Sequence, residues 1–164
     1  MRIAAIRSVV PAAAFLIACG GSQAPIPVVG QEADVTRLTG EWFGEYSSAE
    51  SGRSGSITFK LIAGSDTATG DVVMSPHWRQ MGPTGPTPPT AIQTLTINFV
   101  RVTGGQVSGP LAPYTDATCG CSLHTTFVGR LRADTLAGTY TSVQEQSRDV
   151  QRGQWRVVRQ QPTH

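Results

Sequence analysis

The sequence lacks the features that identify several large classes of protein. It contains no run of about 20 apolar residues, the length that a membrane-spanning helix needs, and no apolar pattern with the period of a helix. Its 13 Lys and Arg are nearly balanced by 11 Asp and Glu, and the arginines are scattered along the chain. Because nucleic-acid-binding proteins gather basic residues on one face to neutralise phosphates, we expect no nucleic-acid partner.

A catalytic constellation is also missing from the sequence. His164 is the last residue, while His77 and His124 have no motif-linked Ser or Asp that would complete a nucleophile, a base and an orienting acid. We therefore predict that the protein is not an enzyme and that it holds no cofactor.

Glycine, proline, serine and threonine are abundant. The 164 residues include 18 Gly and 11 Pro, and this composition is typical of short strands joined by tight turns. The length suits one domain with a single core. The composition thus predicts an all-β protein with one domain.

Residues 1–18 have the pattern of a secretory signal peptide. They begin with Arg2 and Arg7, continue through an apolar stretch over residues 9–17, and end on Ala18. This order of charged, apolar and small residues directs secretion and is removed from the mature chain.

The stretch Leu16-Ile17-Ala18-Cys19 resembles the lipobox of bacterial lipoproteins. The resemblance implies that Cys19 is acylated, becomes the first residue of the mature chain and anchors the protein to a membrane. Gly20 stands where Asp commonly retains such proteins at the inner membrane. The expected location is therefore the outer membrane, facing the periplasm or the cell surface. The alternative is a cleaved secretory peptide in which Cys19 is a bystander.

Residues 19–36 are predicted to form a flexible tether that begins at the lipidated cysteine. From residue 20 to about residue 35 the chain shows no periodic pattern and too few apolar residues to bury. Segments of this kind bury too little apolar surface to offset the entropy lost when their backbone is ordered.

Residues 37–161 alternate apolar and polar side chains between clusters of Gly, Ser, Pro and Asp, which indicates successive antiparallel strands. Eight segments of this kind can be drawn, over residues 40–46, 55–62, 67–74, 91–102, 106–112, 122–132, 135–143 and 153–160. About eight strands suffice to close an up-and-down sheet into a barrel. We predict such an antiparallel barrel, with an interior for side chains or one small ligand.

The alternation also assigns side chains to the barrel interior. Trp42 and Tyr46 share one face of the first segment, and Leu95, Ile97 and Phe99 share one face of the long fourth segment. The candidate ligand-binding residues are the aromatic side chains Tyr46, Phe59, Trp78, Phe99, Phe127 and Tyr140.

Two short motifs resemble a known group of barrels. The stretch Leu38-Thr39-Gly40-Glu41-Trp42 is similar to the Gly-x-Trp opening of lipocalin-like and avidin-like barrels, the calycin group, and residues 135–140 are similar to their Gly-Thr-Tyr strands. The resemblance implies that Trp42 closes one end of the barrel and that Arg156 or Arg159 packs over it.

The sequence departs from that group in two ways. No helix follows the final strand as in lipocalins, and the several tryptophans of an avidin biotin site are missing. Biotin binding is therefore not expected, whereas binding of another small ligand is.

Cys119-Gly120-Cys121, with His124 nearby, is the most chemically reactive stretch of the sequence. An oxidising compartment favours a disulfide between Cys119 and Cys121. A second interpretation is a copper(I) or zinc site formed by the two thiolates and His124, joined by Met74, His77 and Met81 if the loops meet. A third interpretation is a redox-active thiol pair, for which no neighbouring base is evident.

Residues 75–89 contain five prolines, including Pro76, together with Trp78 and Arg79. Proline removes the hydrogen bonds of a central strand, so this stretch is predicted to be a loop. Trp78 is either an anchor for a ligand or a cover for one end of the barrel.

These observations predict a lipid-anchored envelope barrel that binds a small apolar or amphipathic ligand or an envelope partner. The alternative is a structural or assembly lipoprotein whose barrel is filled by its own side chains. A cavity of several hundred Å³ with its mouth near Trp78 favours the first, because small-molecule pockets typically enclose about 300–1,000 Å³.

Overall fold

A computed structural model of the protein describes residues 24–76, 92–117 and 119–161. The predicted signal peptide, the lipidated Cys19, the candidate ligand residue Trp78, and the side chains of His77 and Met81 lie outside these ranges. Within them, no helix is long and apolar enough to cross a bilayer.

The described residues form an all-β fold. They comprise one short helix, α1 (Glu32–Thr36), and eleven strands. The strands are β1 (Ile26–Gly30), β2 (Gly40–Ser47), β3 (Arg53–Leu61), β4 (Thr67–Pro76), β5 (Gln93–Leu95), β6 (Val100–Thr103), β7 (Gln106–Pro110), β8 (Tyr114–Thr115), β9 (Ser122–Arg132), β10 (Thr135–Gln144) and β11 (Val150–Arg159).

Nine of these strands form a closed barrel, which confirms the predicted all-β barrel of about eight strands. The strand order around the wall is β1, β6, β7, β9, β10, β11, β2, β3 and β4, and β1 pairs with β4 to complete the ring. The short β5 pairs with β4, and β8 pairs with β9. Within the described ranges, closure pairs both edges of each of the nine strands.

Strand β1 corrects the predicted flexible tether over residues 19–36. It pairs antiparallel with β4 at Ile26 and parallel with β6 at Val28. Both side chains are buried, with exposed fractions of 1% and 3%. The prediction was wrong because pairing with β4 and β6 buries Ile26 and Val28, and partners so distant in the chain leave no signal in this short segment.

The predicted long strand over residues 91–102 is divided into β5 and β6. Pairing with β4 ends at Leu95, and pairing with β1 begins at Val100. The intervening residues shift the alternation by one position, so Val100 is buried and Phe99 is only partly buried. The predicted inward position of Phe99 was therefore wrong.

Strand β4 extends into the predicted loop over residues 75–89. Its last residue, Pro76, pairs with Arg53 of β3. Proline is tolerated there because the end of a strand can do without one hydrogen-bond donor.

The interior of the barrel is built in layers from facing positions of neighbouring strands. Leu131, Leu136 and Val157 face one another across β9, β10 and β11, and all three are buried. In the next layer Gly129 leaves room for the ring of Trp155, with which a Cβ at this position would collide, while a Cβ at Gly138 would collide with the Gly129 backbone. Large and small side chains thus alternate to fill the narrow interior.

Candidate functional site

The two ends of the barrel differ in construction. The end at which β2 begins, here called the closed end, carries α1, Leu38 and Trp42; the opposite end, where β2 finishes at Ser47, is the open end. Leu38 and Trp42 are fully buried, and the Trp42 indole Nε1 donates a hydrogen bond of 2.8 Å to the Leu38 carbonyl. A buried tryptophan therefore closes this end.

Arg159 packs over Trp42 from the last strand. Its Cζ atom lies 4.3 Å from the centroid of the Trp42 ring, a cation–π distance. The guanidinium also donates to Asp134 Oδ1 over 2.9 Å, to the Arg37 carbonyl over 2.7 Å, and to the Thr39 carbonyl. These contacts tie β11 to the segment between α1 and β2.

Arg156, the other arginine proposed to cover Trp42, does not do so. It is exposed on the outer face of β11, at the position that pairs with Glu45. Residues 156 and 159 are separated by an odd number of positions, so they lie on opposite faces of the strand. Of these two arginines, Arg159 is the one on the inner face of β11, from which it reaches Trp42.

The interior encloses a cavity of about 110 Å³ that extends to the open end. Its lining is mostly apolar. The apolar lining includes Ile57, Val72, Leu95, Val100, Val107 and Leu136. The polar side chains of the lining include Tyr46, Arg53, Tyr114, Thr125, Tyr140 and Ser142.

Four of the six predicted ligand residues line this cavity: Tyr46, Phe59, Phe127 and Tyr140. Phe99 does not, because of the shifted phase between β5 and β6, and its ring instead lies beside Arg101, whose Cζ is 5.9 Å from the ring centroid. Trp78, the sixth, is outside the described residues.

Tyr46 carries a buried hydroxyl that has no hydrogen-bond partner among the described residues. The side chain is only 7% exposed, and its ring meets the edge of the Tyr140 ring at 5.7 Å. Burial raises the pKa of Tyr46 well above its ordinary value, and the neighbouring Tyr140 and Tyr114 raise it further. Burial also raises the pKa of Tyr140, against a hydrogen bond with Ser48 that lowers it. Tyr46 thus lines the cavity as a neutral side chain, and its buried hydroxyl has no partner in the part of the chain that the structure describes.

Three hydrogen-bonded hydroxyl groups line the same cavity as Tyr46. Tyr114 and Thr125 share a hydrogen bond of 3.3 Å, and Thr125 and Ser142 share one of 2.6 Å. These residues were not among the predicted ligand-binding residues. Thr125 and Ser142 nonetheless left a signal, because each is a polar residue at an inward position of an apolar alternation.

A buried ion pair stands at the open end. The Arg53 guanidinium contacts the carboxylate of Asp116, and the Asp116 side chain is fully buried. The guanidinium therefore brings little net charge to the cavity lining. The sequence gives no local sign of this pair, because the two residues belong to distant segments of the chain.

Cys119 and Cys121 form a disulfide in the loop that positions Asp116. The Asp116 backbone N–H donates to the Cys121 carbonyl over 2.9 Å, and the Gly120 N–H donates to the Asp116 carbonyl over 2.7 Å. The disulfide loop and the buried carboxylate are thus one local unit.

The metal-site interpretation gains no support from His124. Its side chain is half exposed, and its Nε2 lies 3.9 Å from Glu145 Oε2. Among the residues that the structure describes, no three His, Cys, Asp or Glu side chains are grouped as metal ligands would be.

The arrangement is chemically suited to hold a small molecule by apolar contact and one hydrogen bond. The apolar wall favours transfer of apolar surface out of water, and the Tyr46 hydroxyl can donate or accept a hydrogen bond. Comparison of the chain with protein-family models, with curated proteins and with solved structures finds no significant match.

Proposed function

We propose that this protein is a lipid-anchored envelope protein whose barrel binds a small apolar or amphipathic ligand in the cavity at the open end. The observation that carries the proposal is a mostly apolar cavity with an unpaired buried hydroxyl, within a barrel that is sealed at its other end. Unpaired buried polar groups are costly, so their presence in a cavity favours a site that is completed by a ligand.

Binding of a ring-sized apolar probe tests the proposal. We expect ethylbenzene, added to the purified full-length chain, to bind saturably and to shift the NMR signals of cavity residues. Val72→Phe should abolish binding because Val72 lines the cavity, whereas Val73→Phe should not, because Val73 is the neighbour on the opposite face of β4. Absence of saturable binding to the wild-type chain would favour the filled structural barrel.

The anchoring part of the proposal rests on the stretch Leu16-Ile17-Ala18-Cys19. Because β1 begins at Ile26, only residues 20–25 separate Cys19 from the barrel wall. An extended chain of this length reaches at most about 25 Å. The proposed anchor would therefore hold the barrel close to the bilayer surface.

Metabolic labelling with palmitate tests the anchor. The wild-type chain should incorporate label and enter the detergent phase on phase separation, and Cys19→Ser should do neither. The matched control is Cys119→Ser with Cys121→Ser, which removes the other two cysteines and should leave labelling unchanged. Labelling that persists in the Cys19→Ser variant would contradict the proposal.

A further inference from the structure

The size of the cavity limits the ligand. Its volume of about 110 Å³ is smaller than the several hundred Å³ that the sequence analysis associated with binding. Drug-sized ligands occupy pockets of about 300–1,000 Å³, whereas an apolar cavity of about 150 Å³ takes up benzene. Because the cavity extends to the open end, a single ring or a short chain fits there without being fully enclosed.

The electrostatic environment limits the charge of the ligand. Arg53 is the cation in the lining, and the Asp116 carboxylate contacts it directly. Tyr46 and Tyr140 supply no negative charge at neutral pH, because burial raises the pKa of both and favours their protonated forms. An ionised ligand would lose its hydration without gaining an unpaired counter-charge.

The polar contact is defined by Tyr46. Among the described residues its buried hydroxyl has no hydrogen-bond partner, whereas those of Tyr114, Thr125 and Ser142 hydrogen-bond to one another. The Tyr46 hydroxyl is therefore the buried hydroxyl of this lining that a ligand could pair. A carbonyl or hydroxyl oxygen on the ligand would form a hydrogen bond with this hydroxyl.

We infer that the ligand is a neutral, ring-sized molecule with one oxygen that pairs with the Tyr46 hydroxyl. The inference rests on the proposed function, since it specifies the ligand of the same cavity. The apolar wall would select the shape of the ligand, and the Tyr46 hydroxyl would orient it. Anionic ligands would be rejected because the charge of Arg53 is already neutralised by Asp116.

Three probes of similar size separate these contributions: ethylbenzene, acetophenone and benzoate. Acetophenone adds a carbonyl to the ethylbenzene framework, and we expect it to bind the purified full-length chain about tenfold more tightly, as one added hydrogen bond allows. Benzoate, which is ionised at pH 7, should bind at least about tenfold more weakly than acetophenone.

The variant Tyr46→Phe tests the assigned contact. It should retain ethylbenzene binding, which shows that the barrel is folded, and lose the preference for acetophenone. The matched control Tyr114→Phe removes a hydroxyl that is already paired with Thr125, so it should keep the preference. Equal loss in both variants would overturn the assignment to Tyr46.

The outcomes distinguish this inference from the proposed function. If ethylbenzene binds but acetophenone gains nothing, or if benzoate binds as tightly as acetophenone, the inferred ligand class is wrong and the binding function stands. If none of the probes binds, both are wrong.

Discussion

The closed end and the open end of the barrel differ in how their buried polar groups are hydrogen-bonded. At the closed end, the Trp42 indole and the Arg159 guanidinium each hydrogen-bond to neighbouring groups, and the two side chains stack on each other. At the open end, Tyr46 buries a hydroxyl without a partner beside a cavity. The comparison indicates that packing is complete around Trp42 and incomplete beside Tyr46, where we place the binding site.

The largest expected effect lies at the closed end. Trp42→Ala should lower the free energy of unfolding by about 4 kcal/mol, because it removes a fully buried indole and leaves a void under Arg159. The matched control is Phe43→Ala, the next residue of β2, which points outward and is 43% exposed. Urea denaturation of both variants measures the difference. Similar losses in the two variants would contradict the idea that Trp42 seals the barrel.

The next effect lies at the open end. Asp116→Asn should cost about 3 kcal/mol, because it leaves the Arg53 charge buried without its partner. The double variant Arg53→Met with Asp116→Leu should be more stable than Asp116→Asn, since it removes both charges. If denaturation shows the double variant to be the less stable of the two, the ion pair contributes more than its own desolvation cost.

A third effect tests whether β1 belongs to the wall. Val28→Ala should lower the free energy of unfolding by about 2 kcal/mol because its side chain is buried between β4 and β6. Val29→Ala changes the same chemical group on the outer face, where Val29 is 52% exposed, and should change stability by less than about 0.5 kcal/mol. If thermal or chemical denaturation shows equally small effects for both variants, β1 does not contribute to the stability of the wall and behaves as a tether.

A smaller effect of opposite sign is expected for Tyr46→Phe. Without ligand, this variant should be more stable than the wild type by about 1 kcal/mol, because it removes an unpaired buried hydroxyl. Tyr114→Phe should instead be destabilising, since it breaks the hydrogen bond with Thr125. A loss of stability in Tyr46→Phe, measured by urea denaturation, would mean that the hydroxyl has a partner in solution.

The smallest effect is a loss of stability at alkaline pH, which we expect to arise from Tyr46 and Tyr140 at the open end. Burial raises the pKa of Tyr46 and Tyr140 in the folded protein, while an unfolded tyrosine titrates near 10. Above pH 10 the unfolded state therefore releases protons first, and stability falls as the pH rises. Thermal melts between pH 9 and 11, a range of about one unit on either side of this value, should show this fall, and Tyr46→Phe should reduce it. An unchanged pH dependence in the variant would exclude Tyr46 as a source.

Much of the wall was predictable because strand alternation is a local signal. Residues 122–132 place Leu123, Phe127 and Leu131 on one face, and β9 has the same bounds as the predicted strand. Trp42 and Tyr46 were likewise assigned to the interior, and both are buried. The physical reason is that a half-buried strand must place its apolar residues at every second position.

The remaining features depend on contacts between distant segments. Phe99 was assigned to the interior because the fourth segment reads as one strand; the change of partner from β4 to β1 that shifts its phase is a tertiary effect. The pairing of Arg53 with Asp116 has the same origin. The unpaired hydroxyl of Tyr46 could not be foreseen either, since an absent partner leaves no pattern in a sequence.

The position of β1 has a consequence for the order in which the barrel assembles. This strand is synthesised before β4 and β6, yet it is held by both, at Ala68 and at Val100. The wall therefore has a seam that stays unsealed until the chain has been made as far as β6, and joining such remote partners is slow. Under the proposed anchoring, the first residues to reach the bilayer are among the last to find their neighbours, so the seam would close at the membrane surface.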